Sequence, residues 1–151
     1  MQRHMKVKAA LAAVAIAGGA AVAVVGPAGP ALGFFSPPLL LEIHVNSPAA
    51  LVAKGAGANV IVRVECSGSS TAFVGVQLTQ RVGSDTATGF GNTEIGCTTN
   101  ANQNVLVLVT AQGNKAFKKG PAVAQAFVSA CTPSFRVCGQ ETDSETSSLG
   151  H

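Results

Sequence analysis

Beyond residue 38 the chain alternates apolar and polar positions in one run after another. In residues 39–45, Leu41, Ile43 and Val45 alternate with Glu42 and His44, the period of a strand with one face buried. Residues 60–66 place Val60, Val62, Val64 and Cys66 on one face and Ile61, Arg63 and Glu65 on the other. Residues 72–82 repeat the pattern, with Val74, Val76 and Leu78 inward and Gln77, Thr79 and Arg81 outward. Residues 105–109 (VLVLV) are an unbroken apolar run suited to a central strand. Residues 121–131 predict another strand, and residues 86–99, rich in Thr and Gly, one or two short ones. Turn chemistry separates them: Asn46-Ser47-Pro48 ends the first, and 67–70, 83–85, 100–104 and the polar stretch 112–120 end others. Residues 49–59, rich in Ala and Gly, fit either a short helix or a loose strand. About seven β-segments and no helical period predict an all-β, immunoglobulin-like Greek-key β-sandwich over residues 39–138.

The N-terminus has a different pattern. Arg3, Lys6 and Lys8 precede an apolar and small-residue run from Ala9 to Val25, which Gly26, Pro27, Gly29 and Pro30 break. A charged start, an apolar stretch and a small-residue exit describe a helical signal peptide. We assign residues 1–31 to it, with cleavage after Ala28, Ala31 or Gly33, and residues 32–38 to an extended lead-in. The rival expectation is an uncleaved N-terminal helix acting as an anchor. Either way the mature domain is read as non-spanning and outside the cytoplasm, extracellular or associated with the cell wall.

Export changes what the cysteines mean. Cys66, Cys97, Cys131 and Cys138 all lie beyond the leader, and an even number of thiols in an oxidising compartment reads as two disulfides. Four cysteines allow three pairings. Neighbours in sequence meet most readily in a β-meander, which favours Cys66 with Cys97 and Cys131 with Cys138. Zinc is disfavoured, because no CxxC occurs.

Charge adds little to the case for a partner. The chain carries 10 Lys/Arg and 7 Asp/Glu, and without the three leader cations the two signs balance. No concentrated basic face suggests nucleic acid. Lys118 and Lys119, with Lys115 nearby, are the densest basic feature and the candidate contact for an anionic surface. Residues 139–151, GQETDSETSSLGH, carry three acids and one large apolar residue, Leu149. They are expected to form a disordered acidic tail, or one folding back weakly onto the basic loop.

The order VRVECSGSS, FVGVQLTQRVGSDTATGFG, GCTTN, NVLVLVTA and FKKGPAVAQAFVSAC, spanning about residues 58–138, resembles a group of small secreted actinobacterial proteins of unknown function. The resemblance implies an immunoglobulin-like β-sandwich behind a signal peptide, and no activity. A broader likeness to the apoproteins of enediyne antibiotics, small exported sandwiches with two disulfides, is one of architecture.

Catalytic chemistry finds few residues to run on. Between the leader and the last residue His44 is the sole histidine, and Asp85 the sole aspartate before the acidic segment. No GxSxG elbow occurs, and Glu42, Glu65, Asp85 and Glu94 read as ordinary strand-surface charge rather than a glycosidase pair. Gly89-Phe90-Gly91 lacks the GK[ST] of a phosphate loop and reads as a turn or bulge. Trp and Tyr are absent, which removes the usual platforms for glycans. The sequence therefore predicts a secreted, non-catalytic protein without cofactor or metal, binding or structural at the cell envelope, with an envelope component or another protein as partner. The alternative is a carrier of a small apolar ligand. Its cleft would exceed about 300 Å³ and would be lined by Phe73, Phe90 and Phe127.

Overall fold

A computed structural model describes residues 38–97 and 101–150. The signal peptide and nearly all of the lead-in lie outside the described residues. Seven strands follow one another: β1 (Leu40–Val52), β2 (Gly57–Ser67), β3 (Thr71–Val82), β4 (Asp85–Gly96), β5 (Asn102–Gln112), β6 (Gly120–Cys131) and β7 (Cys138–Gly150). A single 3-10 turn, Ala53–Gly55, separates β1 from β2.

The strands form one sheet closed on itself in the order β1-β2-β5-β4-β3-β6-β7. This corrects the two-sheet, immunoglobulin-like sandwich that the alternation predicted. Two narrow seams make the difference. β4 pairs β5 through only Thr88↔Gln112, Gly89↔Ala111 and Phe90↔Thr110, and β1 pairs β7 in parallel through Ala49↔Leu149 and Ala50↔Gly150.

Local sequence explains both seams. A Cβ on Gly89 would lie 2.5 Å from the Thr110 carbonyl oxygen, and one on Gly91 would overlap the Leu108 carbonyl, so the two glycines let β4 approach the β5 backbone. In β1 the register shifts between Asn46 and Ala50, and the strand swings over to β7 beyond that irregularity. The Ser47 hydroxyl accepts the Ser148 N–H there, at 3.4 Å. Asn46-Ser47-Pro48, expected to end the first strand, thus bends it instead.

The faces follow the predicted alternation on β1, β2 and β3: Ile43 and Val45 of β1 and the valine rows of β2 and β3 enter the barrel core, with Leu41 half-buried at its edge. On β5 only alternate residues go inward. Val105, Val107 and Val109 are buried, whereas Leu106 and Leu108 are 59% and 56% exposed, so β5 is not buried on both faces. Residues 49–59 are shared between β1, the turn and β2, and residues 86–96 belong to the single strand β4.

The largest correction concerns residues 139–151. Residues 139–150 are not a disordered tail and do not fold onto the basic loop; they belong to β7. It pairs β6 from Cys131↔Cys138 to Gly120↔Leu149 without interruption. Ser147 and Leu149 are buried, and the Asp143 carboxylate accepts the Val45 N–H of β1 at 2.8 Å. Backbone pairing and that bridge hold a strand whose composition is poor for one.

The two ends of the barrel are held by different means. Both seams are zipped at the end carrying the 53–55 turn and the 113–119 loop. They open toward the other end, where Cys66–Cys97 ties β2 to the exit of β4 and Cys131–Cys138 ties β6 to β7. The zipped end is plugged by Phe117, 2% exposed, whose N–H donates to the Gly55 carbonyl at 2.8 Å. The buried Gln80 side chain completes the plug: it accepts the Lys118 N–H at 2.8 Å and donates to the Lys118 carbonyl at 2.7 Å. Among the described residues Phe117 is the only fully buried aromatic ring, in a core otherwise made mainly of Val and Ala. Phe117→Ala is therefore expected to lower the unfolding free energy by about 3–5 kcal/mol, checked by denaturant titration.

Candidate functional site: a phenylalanine-lined cleft

Strands β4, β3, β6 and β7 present one continuous outer face. Register places Glu94, Phe73, Ser129 and Gln140 in one row across it. The next row is Asn92, Gly75, Phe127 and Thr142, and the third is Phe90, Gln77, Gln125 and Ser144. The face is thus built of hydroxyls, amides and three phenyl rings.

The rings converge. Phe73 and Phe127 have centroids 6.0 Å apart at an interplanar angle of 36°, and Phe90 and Phe127 are stacked at 6.4 Å and 16°. Both separations lie in the range of favourable aromatic pairs. Gly75 makes this possible. A Cβ at that position would overlap the Phe127 ring, so the absent side chain lets the ring lie against the β3 backbone. In the sequence Gly75 only interrupts the alternation of β3, and nothing there ties it to residue 127.

Two clefts flank the aromatic ridge. The larger, about 710 Å³, is lined by Phe73, Glu94, Ser129, Phe135 and Gln140 and by the Cys131–Cys138 bridge. The smaller, about 420 Å³, is lined by Gln77, Phe90, Gln125, Phe127 and Thr142, and Gln140 borders both. Each exceeds the volume of about 300 Å³ at which small-molecule sites begin. Glu94 borders the larger cleft, and Asp143 borders the smaller one from the other side of β7, where its carboxylate accepts the Val45 N–H.

Phe135 stands at the rim, 81% exposed. Its φ of 54° is in the left-handed region, which costs a non-glycine residue about 1–2 kcal/mol. The loop that imposes this conformation is short and tied: the Cys131–Cys138 bridge closes it, and the Phe135 N–H donates to the Thr132 carbonyl at 2.7 Å. Strain is therefore retained where an aromatic side chain is held over the mouth of the cleft. Phe135→Gly is expected to stabilise the fold by about 0.5–1 kcal/mol while weakening ligand binding. Melting and binding measured on the same variant check it.

The four predicted disulfide cysteines pair as Cys66–Cys97 and Cys131–Cys138. Two such bridges fit an oxidising compartment. Lys115, Lys118 and Lys119 all lie in the 113–119 loop, away from the phenyl face, with Lys115 Nζ 2.5 Å from Asp85 Oδ2. His44 and Glu42 lie exposed on the outer face of β1, 2.7 Å apart. Glu42 faces Glu65 across the strand pair, and Arg63 lies opposite His44. The carboxylates weighed for glycoside chemistry are thus distributed over different places: one cross-strand pair, one lysine-paired aspartate and one cleft-rim glutamate.

No family model matches the chain, and no curated protein matches it. Among the described residues no group of three or more His, Cys, Asp or Glu is placed to hold a metal ion, and no helix is long and apolar enough to cross a membrane.

Proposed function

We propose that this chain is an exported, non-catalytic binding protein that carries a small, flat, predominantly apolar ligand on the ridge of phenyl rings between the two clefts. The observation that carries the reading is the convergence of Phe73, Phe90 and Phe127 on one polar sheet face, flanked by two open clefts. Rings on one side and amide and hydroxyl groups on the other match a ligand that stacks over most of its area and hydrogen-bonds at a few points. Rigid sheet residues hold the site, so little ordering is required on binding. The disulfides and the basic-then-apolar N-terminus support a site of action outside the cytoplasm.

Mass spectrometry of the protein recovered from culture supernatant tests both parts. Under native conditions the expected mass includes a bound small molecule released on unfolding, and the denatured chain starts between residues 29 and 34. A ligand-free protein that also fails to bind planar aromatic compounds contradicts the carrier reading. A full-length chain found only in membranes contradicts the export reading in favour of the anchor.

A further inference from the structure

The described residues carry seven cations and seven acids, but the signs are not mixed. Lys54, Arg81, Lys115, Lys118 and Lys119 gather at the zipped end of the barrel, with Asp85 as the one acid among them. Arg63 and Arg136 are the two cations elsewhere, against the remaining six acids. A domain of zero formal charge is therefore an electric dipole along the barrel axis, positive by four at this end and negative by four over the rest.

The cations are held in place by backbone and buried contacts. Lys54 sits in the turn whose Gly55 carbonyl accepts the Phe117 N–H, which ties it to the lysine loop. The Gln80 side chain clamps both backbone groups of Lys118, and Arg81 follows Gln80 directly on β3. Lys115 is joined to Asp85 in the β3–β4 turn. All five cationic side chains are exposed. Of the large exposed apolar side chains among the described residues, those of Leu40, Ile61, Phe73, Leu106, Phe135 and Val137 lie elsewhere, and Val123, opposite Thr79, and Leu108, beside Gly57, come nearest to this end. A surface that enters a bilayer sets apolar or aromatic residues among its cations. Here the cations stand on the turn, the loop and the end of β3, and the nearest exposed apolar side chains, Leu108 and Val123, are on the strands below them rather than among them.

We infer that the zipped end is a docking surface for a hydrated, flexible polyanion of repeated phosphate groups, met end-on, with the phenyl cleft turned away from it. Lysines act as point charges toward successive phosphates, and the dipole orients the approaching domain. This binding is independent of the carrier reading, because no residue is shared between the two surfaces.

Long-chain inorganic polyphosphate is the probe, titrated into the full domain and followed by calorimetry and by backbone amide shifts. Shifts are expected at Lys54, Arg81 and residues 115–119 and not at Phe73, Phe90 or Phe127. Counterion release gives an affinity that falls by roughly 50- to 130-fold between about 50 and about 200 mM salt, for four or five neutralised charges on a flexible chain. Lys118→Gln combined with Lys119→Gln is expected to weaken binding at least about tenfold at unchanged melting temperature, and Phe127→Ala to leave it unchanged. No binding at low salt, shifts centred on the cleft, or a salt-independent affinity overturns the inference. So does tighter binding to vesicles of phosphatidylcholine and phosphatidylglycerol than to polyphosphate, which would make the surface a membrane contact.

Discussion

Replacing Cys66 and Cys97 together by Ala lowers the unfolding free energy by about 3–4 kcal/mol, the largest effect expected of any change confined to the disulfide end. The bridge spans 31 residues of sequence and joins Cα atoms 5.3 Å apart. Loop-closure entropy in the unfolded chain accounts for that magnitude, and for the smaller value of about 2–3 kcal/mol expected at Cys131–Cys138, where the sequence separation is only 7. The location adds a second consequence. Cys66–Cys97 lies where β4 and β5 are not paired, so it does covalently what ladder hydrogen bonds do at the other end. One side-chain bond assists it, from Gln103 Nε2 to the Gly96 carbonyl at 2.8 Å. The Cys66→Ala, Cys97→Ala variant should melt roughly 10–20 °C lower by calorimetry. Amides of 92–96 and 102–106 should exchange faster than those near residues 88 and 110. An unchanged melting transition, with or without reductant, refutes the assignment of that role to the bridge.

The second large effect concerns the cleft. Phe127→Ala removes the ring that stacks on Phe90 and packs at a tilt against Phe73, and is expected to weaken binding of a planar apolar ligand by about 10- to 100-fold, since truncating a central aromatic anchor typically costs about 2 kcal/mol or more. Gly75→Val reaches the same ring from beneath. The added side chain needs the space the ring occupies, so the ring must lift and fill the cleft, and binding falls by a similar factor while Phe127 itself is unchanged. Ligand affinity measured by fluorescence is well suited to both variants, because the protein contains neither Trp nor Tyr and contributes little signal of its own. A Gly75→Val protein that is folded and binds as well as wild type contradicts the placement of the ligand over Phe127.

The strand faces could be read from the sequence because burial on one side imposes a two-residue period. The rows Val60-Val62-Val64-Cys66 and Val74-Val76-Leu78 both lie where alternation puts them. Closure could not be read the same way. It rests on five residue pairs across two seams, and the residues that allow it, Gly89, Gly91 and the bend at Ser47, look like turns or bulges when taken locally. β7 escaped detection because its stability comes from its neighbours. Glu141, Asp143 and Glu145 have poor strand propensity, and what holds them is β6, the Cys131–Cys138 bridge and the Asp143 contact to β1. Phe73, Phe90 and Phe127 could be singled out as candidate lining residues. Their convergence depends on the registers Gly75↔Phe127 and Gln77↔Phe90, which are long-range facts. The role of Gly75 follows only from that register.

The most direct test of the account is an aromatic-ring NMR titration with a neutral polycyclic aromatic compound. Every aromatic ring of the chain other than histidine is one of 7 phenylalanines, so the spectrum can be assigned ring by ring. Saturable shifts and ligand contacts are expected at Phe73, Phe90 and Phe127, smaller ones at Phe135, and none at the plug residue Phe117. Shifts led by Phe117, or contacts at Leu106 and Leu108 on the opposite face with the three rings silent, would contradict it.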